Sequence, residues 1–246
     1  MCARYTLTSP ILELEEEFEA DLLPGFGMDG PRYNVAPTQD VMVVVESDRN
    51  RCLRPMKWGL IPAWAKDRSI GTQMINARSE SVREKPAYRN LVRKQRCLIP
   101  TNGFFEWTDH RVPVSVAAQA SLFDEPANAP TKVIRQPFLI HLNDQEVFAL
   151  AGLWDTWKAE EGEWIHSFTV LTTEPNDLVG KLHDRMPVIV RREDYSTWLD
   201  SRNHVSESLT ELYQPFPSSG MAMHPVTTRM SNPRLDEPAF IEEVPL

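Results

Sequence analysis

Arg96-Cys97-Leu98-Ile99-Pro100-Thr101-Asn102-Gly103-Phe104-Phe105-Glu106-Trp107 sets two short apolar runs on either side of an Asn-Gly step. Asn and Gly tolerate the positive φ angles of a two-residue reversal, so the stretch predicts strands over 96–100 and 104–107 joined as a hairpin. The flanking chain has the same character. Residues 40–46 form a Val-rich strand, and 54–64 read as a strand that ends in the rigid turn Gly59-Leu60-Ile61-Pro62. Further strands are expected over 138–142, 147–153, 168–172 and 187–190. Helical spacing is confined to an acidic amphipathic segment at 11–23, a segment at 77–92 interrupted near Pro86, and short pieces at 176–180, 193–199 and 207–213. Strands outnumber helices and show no βαβ alternation. The expected fold is therefore α+β, a single domain over 1–246 built on a strongly bent, barrel-like mixed or antiparallel β-sheet with flanking helices. Residues 108–136, rich in Ala, Pro, Ser and Asn with no sustained period, predict a surface insertion. The Pro-interrupted stretch 215–246 predicts an extended C-terminal wrap.

Composition excludes several classes. The 246 residues are 41% hydrophobic and 25% charged, which rules out general disorder, collagen and coiled coil. No stretch approaches the ~18 apolar residues of a membrane span, and the first residues lack a signal-peptide layout, so a soluble, cytoplasmic protein without membrane contact is expected. Cys2, Cys52 and Cys97 are too few and too scattered for a disulfide framework or a C-x-x-C zinc site, and no metal or cofactor is expected. The net charge of −9 conceals an asymmetry. Residues 51–100 carry twelve Lys and Arg against three acids, the pattern of a phosphate-binding face or of a solvated basic surface.

Cys2 follows the initiator Met1. A small second residue permits Met1 excision, after which one residue holds an α-amine and a thiol on adjacent carbons. Their ordinary pKa values, about 7.7–8.0 and about 8.5, make both groups usable near neutrality. An aldehyde meeting such a pair gives an imine, and closure by sulfur on the same carbon gives a five-membered thiazolidine. The alternative is an incidental second residue.

Nine segments, the first of them holding Cys2 itself, bear on that choice. Met1-Cys2-Ala3-Arg4-Tyr5, Asn34-Val35-Ala36-Pro37-Thr38, Trp58-Gly59-Leu60-Ile61-Pro62-Ala63-Trp64 and Asn76-Ala77-Arg78-Ser79-Glu80 occur in that order. Arg96-Cys97-Leu98-Ile99-Pro100, Gly103-Phe104-Phe105-Glu106-Trp107, Ala151-Gly152-Leu153-Trp154, Thr172-Thr173-Glu174-Pro175-Asn176 and His183-Asp184-Arg185-Met186-Pro187-Val188 follow. The series closely resembles the SRAP family, the SOS response-associated peptidases or abasic-site processing proteins, from residue 2 to about residue 240. The resemblance implies a DNA-damage-response protein that binds single-stranded DNA and joins its N-terminal Cys, here Cys2, to the open-chain aldehyde of an abasic site. That cross-link shields the lesion. A lyase side activity and peptidase-like removal of Met1 belong to the same expectation, as do a monomeric state and association with the nucleoid through DNA.

Residue by residue, the resemblance assigns catalytic roles to Cys2, Asn76, Glu106 and His183. An amide such as Asn76 can orient the amine or the sugar hydroxyls; an Asx turn is its structural alternative. Glu106 lies between Phe105 and Trp107, whose apolar bulk raises a carboxyl pKa and suits it to proton shuttling; an exposed strand Glu is the alternative. His183 suits protonation of the sugar ring oxygen. Arg4, Arg78 and Arg185 match phosphate-gripping positions, with surface salt bridges as the alternative. Trp58, Trp64 and Trp107 are candidates for stacking on bases, with at least one of them expected in the core. Asn34, Pro37 and Pro100 are expected to line the DNA channel with backbone contacts. Two other functions stay open: a thiol peptidase built from Cys2, His183 and Asn76, and a non-covalent single-strand binding module. The chain departs from the family pattern at 108–136, where a longer segment poor in Lys and Arg replaces a short basic linker.

Overall fold

The Val-rich run at 41–45 is buried along its whole length rather than on alternate residues, the mark of a strand covered on both faces. The computed structural model describes residues 2–27, 30–47, 50–113, 131–202 and 207–246. Its strands begin with β1 (Tyr5–Leu7), β2 (Ala20–Leu22), β3 (Arg32–Val35), β4 (Asp40–Ser47), β5 (Asn50–Trp58) and β6 (Asn76–Arg78). They continue with β7 (Arg96–Thr101), β8 (Gly103–Pro113), β9 (Thr131–Leu142), β10 (Phe148–Lys158) and β11 (Trp164–Thr173). Three short strands, β12 (Met186–Pro187), β13 (Ile189–Val190) and β14 (Met221–Pro225), complete the set. The α-helices are short: α1 (Ile11–Phe18), α2 (Leu91–Lys94), α3 (Tyr195–Leu199) and α4 (Glu207–Glu211).

Five strands close into a ring. β5 pairs antiparallel with β4, β4 with β7, β7 with β10 and β10 with β11. β11 then returns parallel to β5 at Ser167↔Lys57 and Phe168↔Trp58. The seal is reinforced where the Gly59 N–H donates to Phe168 O at 2.8 Å and the Ile61 N–H to Ser167 Oγ at 2.8 Å. Val43, Val44, Leu53, Leu98, Ile99, Leu150 and Phe168 are fully buried in this barrel. Packing is tight enough to dictate a glycine: a Cβ on Gly152 would lie 2.5 Å from Ile99 Cδ1 and 2.8 Å from Cys97 Sγ. The expected α+β fold with a barrel-like sheet is what the chain adopts.

A second, five-stranded sheet runs β14-β9-β8-β1-β3. Along β8, Phe104 joins the barrel-side cluster while Phe105 joins a separate cluster with Leu139 of β9 and with Val226, Met230 and Phe240 from the C-terminal chain. Strand alternation therefore turns Glu106 toward the barrel side, the side on which Cys2 is buried.

Several local expectations are corrected. The segment at 96–107 is not a hairpin: β7 belongs to the barrel and β8 to the second sheet. The Asn102 side chain fixes this crossing, with Oδ1 accepting from the Thr8 and Ser9 N–H groups and Nδ2 donating to Glu146 O. The helix expected over 11–23 stops at Phe18, because Glu19 turns left-handed (φ 49) and β2 pairs with β5. The helix expected over 77–92 is replaced by β6, parallel to β11, then a run of turns and the four residues of α2. Pro86 has no N–H to give a longer helix. Within 108–136 both ends are strand, paired from Thr108↔Gln136 to Pro113↔Thr131, and residues 114–130 lie outside the described residues. The 215–246 stretch is mostly irregular and contributes β14 beside β9.

Candidate functional site

Three strand ends meet around Cys2. β1 runs beside β8, with the Phe105 N–H donating to Arg4 O at 3.0 Å, which sets Cys2 near Glu106 and Trp107. β6 supplies Asn76, whose Nδ2 donates to Cys2 O at 2.8 Å. β11 ends at Thr172 and Thr173 and leads into a loop that Asn176 caps, its Oδ1 accepting from the Leu178 and Val179 N–H groups. That loop returns His183-Asp184-Arg185 to the strand, where Arg185 Nη2 donates to Thr172 O at 2.6 Å. The result is a cleft of about 370 Å³ lined by Asn76, Arg78, Lys85, Tyr88, His183 and Arg185 among others.

The electrostatics follow from burial. Glu106 is 2% exposed, and desolvation pushes its carboxyl up to about 7, with the charge of the chain's amino terminus opposing. Cys2 is 0% exposed, and burial, then the Glu106 charge, hold its thiol well above the ordinary range. Burial lowers His183, favouring the neutral ring. In that state Nδ1 accepts from the Arg185 N–H at 3.0 Å. The same Nδ1 lies 2.9 Å from Asp184 Oδ1, a contact that suits the protonated ring, so each protonation state has a partner. Asn76 Oδ1, Arg185 Nε and Arg4 Nε are buried without a hydrogen-bond partner among the described residues. Asn76 and Arg185 line the cleft, and unmet polar atoms there are costly unless a ligand completes them.

Of the residues expected from sequence, the fold brings Cys2, Asn76, Glu106, His183, Arg4, Arg78 and Arg185 to this region. Glu106 is a buried carboxyl rather than an exposed strand residue, and Asn76 lies in a strand rather than opening a helix. Trp64 is 63% exposed, on a loop tied down where the Ala63 N–H donates to Asp155 Oδ2. Trp107 is half-buried, its Nε1 donating to Ser231 Oγ. Pro37 is half-buried and precedes Thr38, a β-branched residue held left-handed at φ 74.

Three of the expected DNA-contact residues are buried. Asn34 is buried and donates from Nδ2 to the carbonyls of Met230, Asn232 and Leu235, so its side chain anchors the C-terminal chain. Trp58 is fully buried, with Nε1 on Ile75 O and its ring 5.3 Å from that of Tyr5, and is unavailable for stacking. Pro100 is buried in β7 opposite Ala149. The basic window also divides. Arg51 and Arg96 are spent on internal contacts, Arg96 with the carbonyls of Trp198, Val92 and Asp200. Lys66, Arg68, Arg78, Arg83, Lys85, Arg89, Arg93 and Lys94 are exposed.

Sequence reasoning missed Glu80, which pairs with Arg185 at 2.6 Å, and Thr172, whose carbonyl anchors the same side chain. It also missed Asp184 and Arg135, whose charges reach both Glu106 and His183. Glu80 and Asp184 stand inside quoted motifs, which was the available signal. Arg135 carried none, because it lay in the segment assigned to the insertion.

Comparison with known proteins bears on this geometry. The family profile of the SOS response associated peptidases (SRAP) matches residues 1–233. The chain is 36% identical over 242 residues to the abasic site processing protein YoqW of Bacillus subtilis strain 168, covering 98% of this chain and 99% of that protein. It is 28% identical over 222 residues to the abasic site processing protein HMCES of Xenopus tropicalis, covering 85% of this chain and 64% of that protein. A crystal structure of a protein from Bacteroides thetaiotaomicron superposes with a TM-score of 0.79 at 23% identity, over 99% of this chain and 100% of that one, and shares the fold.

Proposed function

The chain belongs to the SOS response associated peptidase (SRAP) family, and from that premise we propose that it processes abasic sites in single-stranded DNA by joining itself to them through Cys2. The observation that carries the reading is the contact of Asn76 Nδ2 with Cys2 O at 2.8 Å, which fixes the Cys2 backbone beside a buried carboxyl.

Removal of Met1 turns the Cys2 nitrogen into a primary amine. That amine attacks the aldehyde carbon of the opened sugar, and loss of water leaves an imine. The thiol then adds across the C=N bond: sulfur bonds to carbon, the thiol proton passes to nitrogen, and a thiazolidine results. The adduct is protein plus DNA minus one water. The order of attack follows from burial, which keeps the thiol protonated while the amine acts first. A carboxyl with a pKa of about 7 can both give the proton that water carries away and take one back, the role proposed for Glu106. His183, neutral at rest but with Asp184 ready for its protonated form, suits proton delivery to the ring oxygen. The same imine acidifies the sugar C2′–H, and its loss with departure of the 3′ phosphate is the accompanying lyase reaction.

Arg4, Arg78 and Arg185 are proposed to hold flanking phosphates, contacts that read no base, as a base-less site requires. Trp64 is the exposed ring best suited to stacking. A thiol peptidase is the weaker reading, because burial and the Glu106 charge disfavour a resting thiolate. The test is intact mass before and after mixing with an abasic-site oligonucleotide. Loss of Met1 and an adduct of protein plus DNA minus water, absent in Cys2→Ala, are expected. Protein lacking Met1 that forms no adduct would overturn the reading.

A further inference from the structure

The Arg185 guanidinium is occupied in the free protein. Nη1 donates to Glu80 Oε1 at 2.6 Å and Nη2 to Glu80 Oε2 at 2.9 Å, a parallel two-point fork. A phosphate offers a guanidinium the same kind of oxygen pair as a carboxylate does. The two partners are held differently. Arg185 has a second anchor in Thr172 O, and its side chain is only 13% exposed. Glu80 lies on the turn that leaves β6, and its side chain is 49% exposed. Swinging Glu80 aside therefore leaves Arg185 in place with its fork open to the cleft. The hydrogen bonds from Arg185, together with the nearby charge of Arg78, hold the Glu80 carboxyl below its usual range, so it is an anion whenever DNA arrives. Arg185 Nε is a further buried donor without a partner among the described residues.

We propose that Glu80 is a specificity-determining residue: its carboxylate stands in for a backbone phosphate on Arg185 and has to be displaced by the strand that binds. The proposal rests on reading the cleft as a single-stranded DNA site. An intact strand expels the carboxylate and gains only the phosphate contact in exchange. A strand with an abasic aldehyde expels it and is then held covalently by Cys2. The internal anion thus weakens the hold on undamaged DNA without reducing the final yield of captured lesions.

The experiment compares wild type, Glu80→Gln and Glu84→Gln. The first variant keeps the side-chain shape and removes the competing charge from the fork. The second removes a charge from an exposed position in the same turn region. Affinity for an undamaged oligothymidylate is read by fluorescence anisotropy at fixed salt, and endpoint adduct yield with an abasic oligonucleotide by gel. Glu80→Gln is expected to bind oligothymidylate about tenfold tighter than wild type, and Glu84→Gln within about twofold, with equal adduct yields. Equal tightening in both variants would reduce the effect to net charge and overturn the proposal. Weaker binding by Glu80→Gln would make Glu80 a support for Arg185 and overturn it as well. If neither wild type nor variant binds oligothymidylate or forms adduct, the DNA reading itself fails, an outcome distinct from the other two.

Discussion

The barrel wall and the cleft beside it are built on opposite terms. Around Gly152 the side chains of Ile99 and Cys97 leave no room for one added carbon, and the buried groups of the wall are mostly apolar. A few strands away, Asn76 Oδ1, Arg4 Nε and Arg185 Nε are buried with hydrogen-bonding capacity unused, and Glu106 is buried at the cost of a displaced pKa. The barrel is held by close apolar packing, whereas the cleft gathers polar atoms that a ligand would complete. Stability and chemistry are therefore separable here, and the separation can be tested from both sides.

The largest effect is expected in the barrel. Phe148→Ala empties a fully buried site on β10 and is expected to cost about 3–5 kcal/mol in urea unfolding, with adduct yield per folded molecule unchanged. A cost below about 1 kcal/mol would mean the stability lies elsewhere. Gly152→Ala forces a Cβ against Ile99 and Cys97 and is expected to cost about 2–3 kcal/mol, again without touching the chemistry.

Changes in the cleft should run the other way. Burial raises Glu106 from 4.5 to about 7, so folding takes up a proton between those values. Its contribution to stability is fully present below about pH 4.5 and is lost as pH rises through about 7. Glu106→Gln, which never ionises, is expected to match wild type near pH 4. Above pH ~7.5 it should be more stable by about 2–3 kcal/mol while forming adduct far more slowly. Thermal melts at the two pH values, with a time course of adduct formation, check both signs. The smallest stability effect is expected for Arg78→Ala, within about 0.5 kcal/mol, because the side chain is exposed. Its affinity for single-stranded DNA should nevertheless fall, and a variant that binds as wild type does would remove Arg78 from the phosphate contacts.

What the sequence disclosed depended on whether a signal was local. The Val-rich run of β4 and the alternation of Phe104, Phe105 and Glu106 were legible, because burial pattern and strand period are written in neighbouring residues. Asn102-Gly103 misled, since its turn chemistry was real but the reversal carried the chain between sheets instead of into a hairpin. The helix at 77–92 failed because β6 is dictated by parallel pairing with β11, almost a hundred residues away. In the site, the motifs located most of the residues that line the cleft, though not Lys85 or Tyr88, and did not separate roles. Asn34 and Asn76 sit in equally specific motifs, yet one holds the C-terminal chain and the other holds Cys2. Only the partners across the fold distinguish them. Glu80 stood in a motif already quoted and was passed over, because its meaning depends on Arg185 more than a hundred positions later.

The place of β1 between β3 and β8 has a consequence for the order of synthesis. β1 is translated well before β8, the strand that must flank it, which begins at Gly103. At about 5–20 residues per second, translation takes roughly 5–20 s to supply that partner, and longer to deliver His183. Throughout that interval the segment that carries Cys2 belongs to a nascent, unseated chain. Afterwards Cys2 is fully buried. Cys2 is thus made early and assembled late, and the moment at which β1 docks divides an accessible residue from a sheltered one.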